Sequence, residues 1–146
     1  MGRADTERPT GASECDMTTF APTQEALDFL AHNPDIELIE LFILDANGVP
    51  RGKLLHREEL LALYQSGRPL PSTMLGLSIQ GEDVEDSGLV WEVGDIDCRA
   101  YPLPGSLVRL PWRQMPTAAV QVSMHPTEGL PATPADPRQL LIRVIE

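Results

Sequence analysis

An α+β fold, a mixed β-sheet with a helix packed across it, is what this sequence predicts, and three observations carry the prediction. The chain has 146 residues, the size of one ordinary domain, and 42% hydrophobic side chains with only 5% aromatics suffice for a modest aliphatic core. Its 14 prolines and 11 glycines impose many turns and few long elements, which excludes a helical bundle. Strand-like runs rich in Ile, Leu and Val alternate with short segments whose apolar residues recur at helical spacing.

Residues 1–21 are polar and lack hydrophobic period, which predicts a disordered extension. Thr23 to His32 follows as a helix with Ala26, Leu27, Phe29 and Leu30 on one side, and Asn33-Pro34 ends it. Ile36 to Leu44 is the strongest strand of the chain, Asp45-Ala46-Asn47-Gly48 is a turn, and Val49 to Leu55 returns as the second strand of a hairpin. Arg57 to Ser66 is a helix with Leu60, Leu61, Leu63 and Tyr64 inward, Glu58 and Glu59 in its first turn, and Gly67 as its cap. Strand, strand, helix is the opening of a β-grasp-like fold. Leu70 to Ser87 shows no period, and Leu89–Val93, Ser106–Trp112 and Ala118–Met124 read as further strands. The grasp-like domain therefore spans 22–125, and a Pro-rich linker spans 126–135. Asp136 as N-cap, Pro137 at the first helical position and Gln139 begin a helix at 136–146 that has no terminator, so a further domain is expected to follow.

Eleven basic against 22 acidic residues give a formal net charge of −11, which disfavours nucleic acid and anionic lipid and favours cations such as amines or metal ions. Cys15 and Cys98 are far apart and lack metal-type spacing, as expected of thiols in a reducing compartment. With neither a signal-peptide core nor an apolar run of membrane-spanning length, a cytoplasmic protein is expected. Walker and dinucleotide loops, G-x-S-x-G and Cys-His constellations are absent, and His32, His56 and His125 are scattered without metal spacing. No catalytic residue and no metal ligand is predicted in this segment.

The chemistry-bearing feature is an acidic loop. Between Ser72 and Cys98 stand seven carboxylates (Glu82, Asp83, Glu85, Asp86, Glu92, Asp95, Asp97) and no Lys or Arg. A flexible anionic loop after Gly76-x-Ser78 and Gly81 can close over a cation, whereas the plainer reading is a solvated charge run. Arg51-Gly52-Lys53 could contact a phosphate or carboxylate, and more often such a triplet sits on a strand edge and discourages edge pairing, the reading favoured here.

The string Ile39-Glu40-Leu41-Phe42-Ile43-Leu44-Asp45-Ala46-Asn47-Gly48 followed by Arg51-Gly52-Lys53 resembles the first hairpin of glutamine synthetases. Leu70-Pro71-Ser72 to Gly81, Val84 to Leu89, Gly94 to Asp97 and the tail Asp136-Pro137-Arg138 resemble its continuation, so that the likeness covers about Thr23 to Glu146. The triplet at 51–53, the run Gly81 to Leu89 and Pro104-Gly105-Ser106-Leu107 are most similar to the γ-glutamylpolyamine (γ-glutamylputrescine) synthetase branch.

This resemblance implies the N-terminal domain of an enzyme that couples ATP hydrolysis to amide formation on glutamate through a γ-glutamyl phosphate. Mg (or Mn) and ATP are expected in a catalytic domain outside this segment, which alone should be inactive. The partner implied is a neighbouring subunit of a ring homo-oligomer, whose amine site the loop completes through Leu75, Gly76, Ser78, Glu82, Glu85 and Asp86. Glutamine synthetases carry an ammonium-binding Asp in a D-G-S-S motif where Leu75 stands. A leucine can instead pack against the methylenes of an alkyl amine, at ~0.8 kcal/mol per buried CH₂. The polyamine branch often has an Asp where Ser78 stands, a second departure. An ordinary glutamate–ammonia ligase and a separate grasp-like interaction module are the alternatives.

Overall fold

A computed structural model describes residues 20–88, 97–125 and 135–145. The expected strand at 89–93, most of the N-terminal extension and nearly all of the linker lie outside these residues.

Helix α1 (Thr23–His32) ends where predicted, with the Asn33 amide and its side-chain Nδ2 both donating to the Phe29 carbonyl. Strands β1 (Leu38–Leu44) and β2 (Pro50–His56) form the expected antiparallel hairpin. The first strand starts two residues later than predicted: the Ile36 amide donates to the Asn33 carbonyl, so Ile36 still belongs to the turn after α1. The single helix expected over 57–66 is a 3₁₀ turn (Arg57–Glu59) leading into α2 (Leu60–Ser66). Glu59 Oε2 accepts from the His56 amide and fixes this start.

Two strands were not read from the sequence: β3 (Arg68–Pro71) and β4 (Asp97–Pro102), which pair antiparallel. Strand β5 (Val108–Leu110) is shorter than predicted, and β6 (Thr117–His125) is slightly longer. The sheet runs β2-β1-β6-β4-β3, with β5 also on β6. Among the described residues only the β1–β6 pair is parallel. A parallel central pair flanked by antiparallel neighbours, with α1 and α2 against one face, is the β-grasp-like α+β architecture expected.

Burial follows the pleat. Ile39, Leu41 and Ile43 of β1 point to the helices, where they meet Ala26 of α1, Leu60 and Leu63 of α2, and Ala118, Val120, Val122 and Met124 of β6. Strand β6 is buried on both faces along most of its length. Cys98 of β4 and Leu75 belong to the same core.

The opposite sheet face is covered unevenly. At one end Asp136 joins the start of α3 (Pro137–Ile145) to β6, accepting from Ser123 Oγ through Oδ2 and from the Arg138 amide through Oδ1. Phe20 stacks on Tyr101 with ring centres 4.2 Å apart and meets His125 edge-on. The other end is an open groove of about 750 Å³ lined by Phe42, Leu44, Leu54, Val108, Leu110 and Trp112 among others.

Candidate functional site

The hairpin turn and the segment that follows β3 are built into one unit, with Asp45 at its centre. Its carboxylate is fully buried, and Oδ1 accepts from the amides of Asn47 (2.8 Å) and Val49 (2.9 Å). Oδ2 accepts from Arg51 Nε at 2.9 Å. Burial alone would raise the Asp45 pKa, but the Val49 amide, the Arg51 guanidinium and the Asn47 amide outweigh it and hold the carboxyl below its usual range.

Arg51 also reaches outward from this pair. Its Nη2 donates to the Ser78 carbonyl at 2.6 Å and is 3.5 Å from the Ile79 carbonyl. Asn47 Nδ2 donates to the Leu77 carbonyl (2.8 Å), and the Ala46 amide to the Leu75 carbonyl (3.1 Å). The turn thus collects backbone oxygens from 75 to 79, and the loop lies on it through its main chain. The triplet at 51–53 divides its tasks. Lys53 is exposed on the edge strand β2, as the edge-blocking reading expects. Arg51 instead turns inward as a clamp, correcting the strand-edge reading for that residue. Gly52 leaves no room for a side chain, because an added Cβ would sit 1.8 Å from the Leu41 carbonyl oxygen.

Of the six residues that the sequence singled out, the structure joins Ser78 to Glu82 and sets Leu75 apart in the core. Leu75 and Gly76 lie in a 3₁₀ turn (Ser72–Gly76). The Leu75 side chain is 1% exposed and packs into the domain's own core, so the expected packing against an alkyl amine differs from its placement. A leucine next to a forming core gains more from burial there than from standing in water. Ser78 is half-buried and tied to Glu82 in both directions: its amide donates to the Glu82 carbonyl (2.9 Å), and its Oγ accepts from the Glu82 amide (3.1 Å). Glu82, Glu85 and Asp86 are exposed, the last two in a further 3₁₀ turn (Glu85–Ser87). Glu92 and Asp95 lie outside the described residues, as does the side chain of Asp97. None of the six lines the apolar groove.

Asp45, Asn47 and Arg51 were not singled out as site residues. Their signal was local, an Asp two residues before Asn-Gly with an Arg on the returning strand. It marks a turn whose acid and base can meet, but the loop partner is invisible from spacing. Among the described residues no group of three or more His, Cys, Asp or Glu side chains could hold a metal ion, and no helix is long and apolar enough to cross a membrane.

No family model matches the sequence. Among curated proteins, gamma-glutamylputrescine synthetase PuuA of Escherichia coli (strain K12) is 33% identical over 85 residues, which is 58% of this chain and 18% of that protein. The chain thus spans less than a fifth of the length of this relative. Among solved structures, a novel glutamine synthase homolog is 28% identical with a TM-score of 0.62, covering 74% of this chain and 25% of that one. GmaS in its apo form is 25% identical with a TM-score of 0.56, over 79% of this chain and 24% of that one. A GmaS complex with ADP, 22% identical with a TM-score of 0.54 over 81% of this chain and 25% of that one, shares the fold. Sequence and backbone comparisons agree that the matched part of the chain is similar to glutamine synthetase family proteins, with the fold of their N-terminal domain.

Proposed function

We propose that this domain is part of an ATP-dependent glutamate–amine ligase of the γ-glutamylpolyamine type, and that its loop completes the amine site of an adjacent subunit. The observation that carries the reading is the 33% identity to a gamma-glutamylputrescine synthetase. In such a ligase ATP activates the side-chain carboxyl of glutamate, a primary amine attacks that carbon, phosphate leaves, and the amine nitrogen gives up a proton. Mg (or Mn) and ATP would be held by residues outside this segment, and this chain by itself is expected to be inactive. Its cytoplasmic setting belongs to the same proposal, as do the boundaries at 22–125, 126–135 and 136–146.

The loop contributes charge. Glu82, Glu85 and Asp86 are exposed, and Glu82 stands on backbone tied through Ser78 to the hairpin turn, so it can meet a distal ammonium group without that part of the loop having to be ordered first. Gly76 and Ser78 shape the approach to them. The open sheet face supports a subunit contact, since Trp112 is 72% and Leu54 59% exposed there, beyond what isolated surface residues require. The second reading, an ordinary glutamate–ammonia ligase, is favoured by the 28% identity to a glutamine synthase homolog. Phosphate release from the whole protein with ATP, Mg²⁺ and glutamate separates the two. Stimulation by putrescine or spermidine over ammonia is expected, and stimulation by ammonia alone would replace the first reading with the second.

A further inference from the structure

We propose that Arg51 is the positioning residue of the acidic loop, setting where its carboxylates stand through a latch between the hairpin turn and the loop main chain. The latch itself rests on geometry, and its consequence for catalysis rests on the amine-site reading above.

The guanidinium is a rigid planar fork that bonds in two directions at once. Nε is taken by Asp45 Oδ2, and Nη2 is directed at the Ser78 carbonyl. The Asn47 and Val49 amides fix the Asp45 carboxylate, so the direction of the fork is set before the loop is met. From the Ser78 carbonyl the constraint passes along a short path, because Ser78 and Glu82 exchange two hydrogen bonds. Charge is arranged to match: Arg51 is neutralised by Asp45, not by the loop, which leaves Glu82, Glu85 and Asp86 to an incoming cation. Ser72 to Cys98 contains no Lys or Arg that could hold them instead.

Arg51→Lys tests this. Lysine keeps a positive charge opposite Asp45 but is a point charge that cannot span Asp45 and the Ser78 carbonyl in fork geometry. Hydrogen exchange of the 146-residue chain is read at the Ser78, Gly81 and Glu82 amides. About tenfold faster exchange is expected there, with β1 and β6 amides unchanged, from loss of one charge-assisted bond. Loop exchange equal to wild type overturns the latch. If R51K instead loosens the whole sheet, Asn47→Ala is read in the same way, since it removes the bond to the Leu77 carbonyl and leaves the ion pair. Loop exchange unchanged in that variant, with Arg51 still in place, leaves the holding of the loop to Arg51, whereas a tenfold rise there assigns it to Asn47 and overturns the proposal.

In the full-length ligase, R51K is expected to raise the KM for the amine by about tenfold, with kcat and the KM for glutamate held within about twofold. A loosened loop with an unchanged amine KM overturns the positioning role. Wild-type protein that releases no phosphate with any amine defeats the ligase reading, and the exchange experiment still decides the latch.

Discussion

Replacing Gly52 by alanine tests how closely the hairpin strands approach. An added Cβ would stand 1.8 Å from the Leu41 carbonyl oxygen, 2.8 Å from its carbonyl carbon and 2.9 Å from Phe42 Cα. All three are backbone atoms of β1, which β6 holds on its other side, so they cannot swing away like the end of a flexible side chain. Reaching ordinary contact requires a separation of roughly 1.5 Å or more, and the edge strand β2 must make that movement. Two or three ladder hydrogen bonds near Gly52 would then be lost at about 1 kcal/mol each, a cost of ~2–3 kcal/mol. Against a domain stability of about 5–15 kcal/mol this is large. Urea unfolding of the chain should show a midpoint about 1–2 M lower, at an m-value typical of this size. Gly48→Ala is the control: nothing lies within 4 Å of its added Cβ, so only the left-handed φ of +75° is penalised, by about 1 kcal/mol. If Gly52→Ala unfolds at the same urea concentration as Gly48→Ala or at a higher one, the close-approach argument is wrong.

Other outcomes follow from the same geometry. Because the folded pKa of Asp45 lies below its ordinary value of 3.8, the carboxylate stabilises the fold above that value, and the contribution is lost as pH falls through the lower folded pKa. The stability gap between wild type and Asp45→Asn should therefore shrink from about pH 5 down to about pH 2 in urea melts, and a constant gap contradicts it. Burial, reinforced by the Glu25 carboxylate that accepts from its hydroxyl at 2.8 Å, pushes the Tyr64 phenol far up. At about pH 11, where an exposed tyrosine ionises, wild type and Tyr64→Phe should give the same phenolate absorbance. Asp35 and Arg109 form a two-pronged pair at 2.7 and 2.6 Å, yet their side chains are about half exposed. Asp35→Ala should leave the thermal midpoint within measurement scatter, and a drop of several degrees would show that the pair is structural.

The hairpin and both helices before Gly67 could be read because their signals are local: a β-rich run, an Asn-Gly turn, apolar residues at helical spacing. Strand β3 could not, since Arg68-Pro69-Leu70-Pro71 has two prolines in four residues. Its place at the edge of the sheet, paired to β4 alone among the described residues, makes that tolerable, and edge position is a tertiary fact. Strand β4 was missed for a related reason. Cys98 and Ala100 alternate into the core, but a stretch this short with small side chains carries little pattern. The acidic loop was legible as composition. What anchors it was not, because the acceptors of Arg51 and Asn47 are backbone carbonyls 27 to 30 residues away, and a carbonyl has no residue identity for sequence to reveal.

The parallel pairing of β1 with β6 also sets the order in which the domain can be made. Leu38 is registered against Thr117, about 80 positions downstream, so the hairpin cannot gain its inner neighbour until nearly the whole domain has left the ribosome. During synthesis at ~5–20 residues per second, the backbone edge of β1 waits for seconds without its parallel neighbour. A sheet completed by a strand made this late is therefore exposed to chaperone capture and to pairing with another nascent copy, and a slowed codon run just before β6 should lower its soluble yield more than one placed after it.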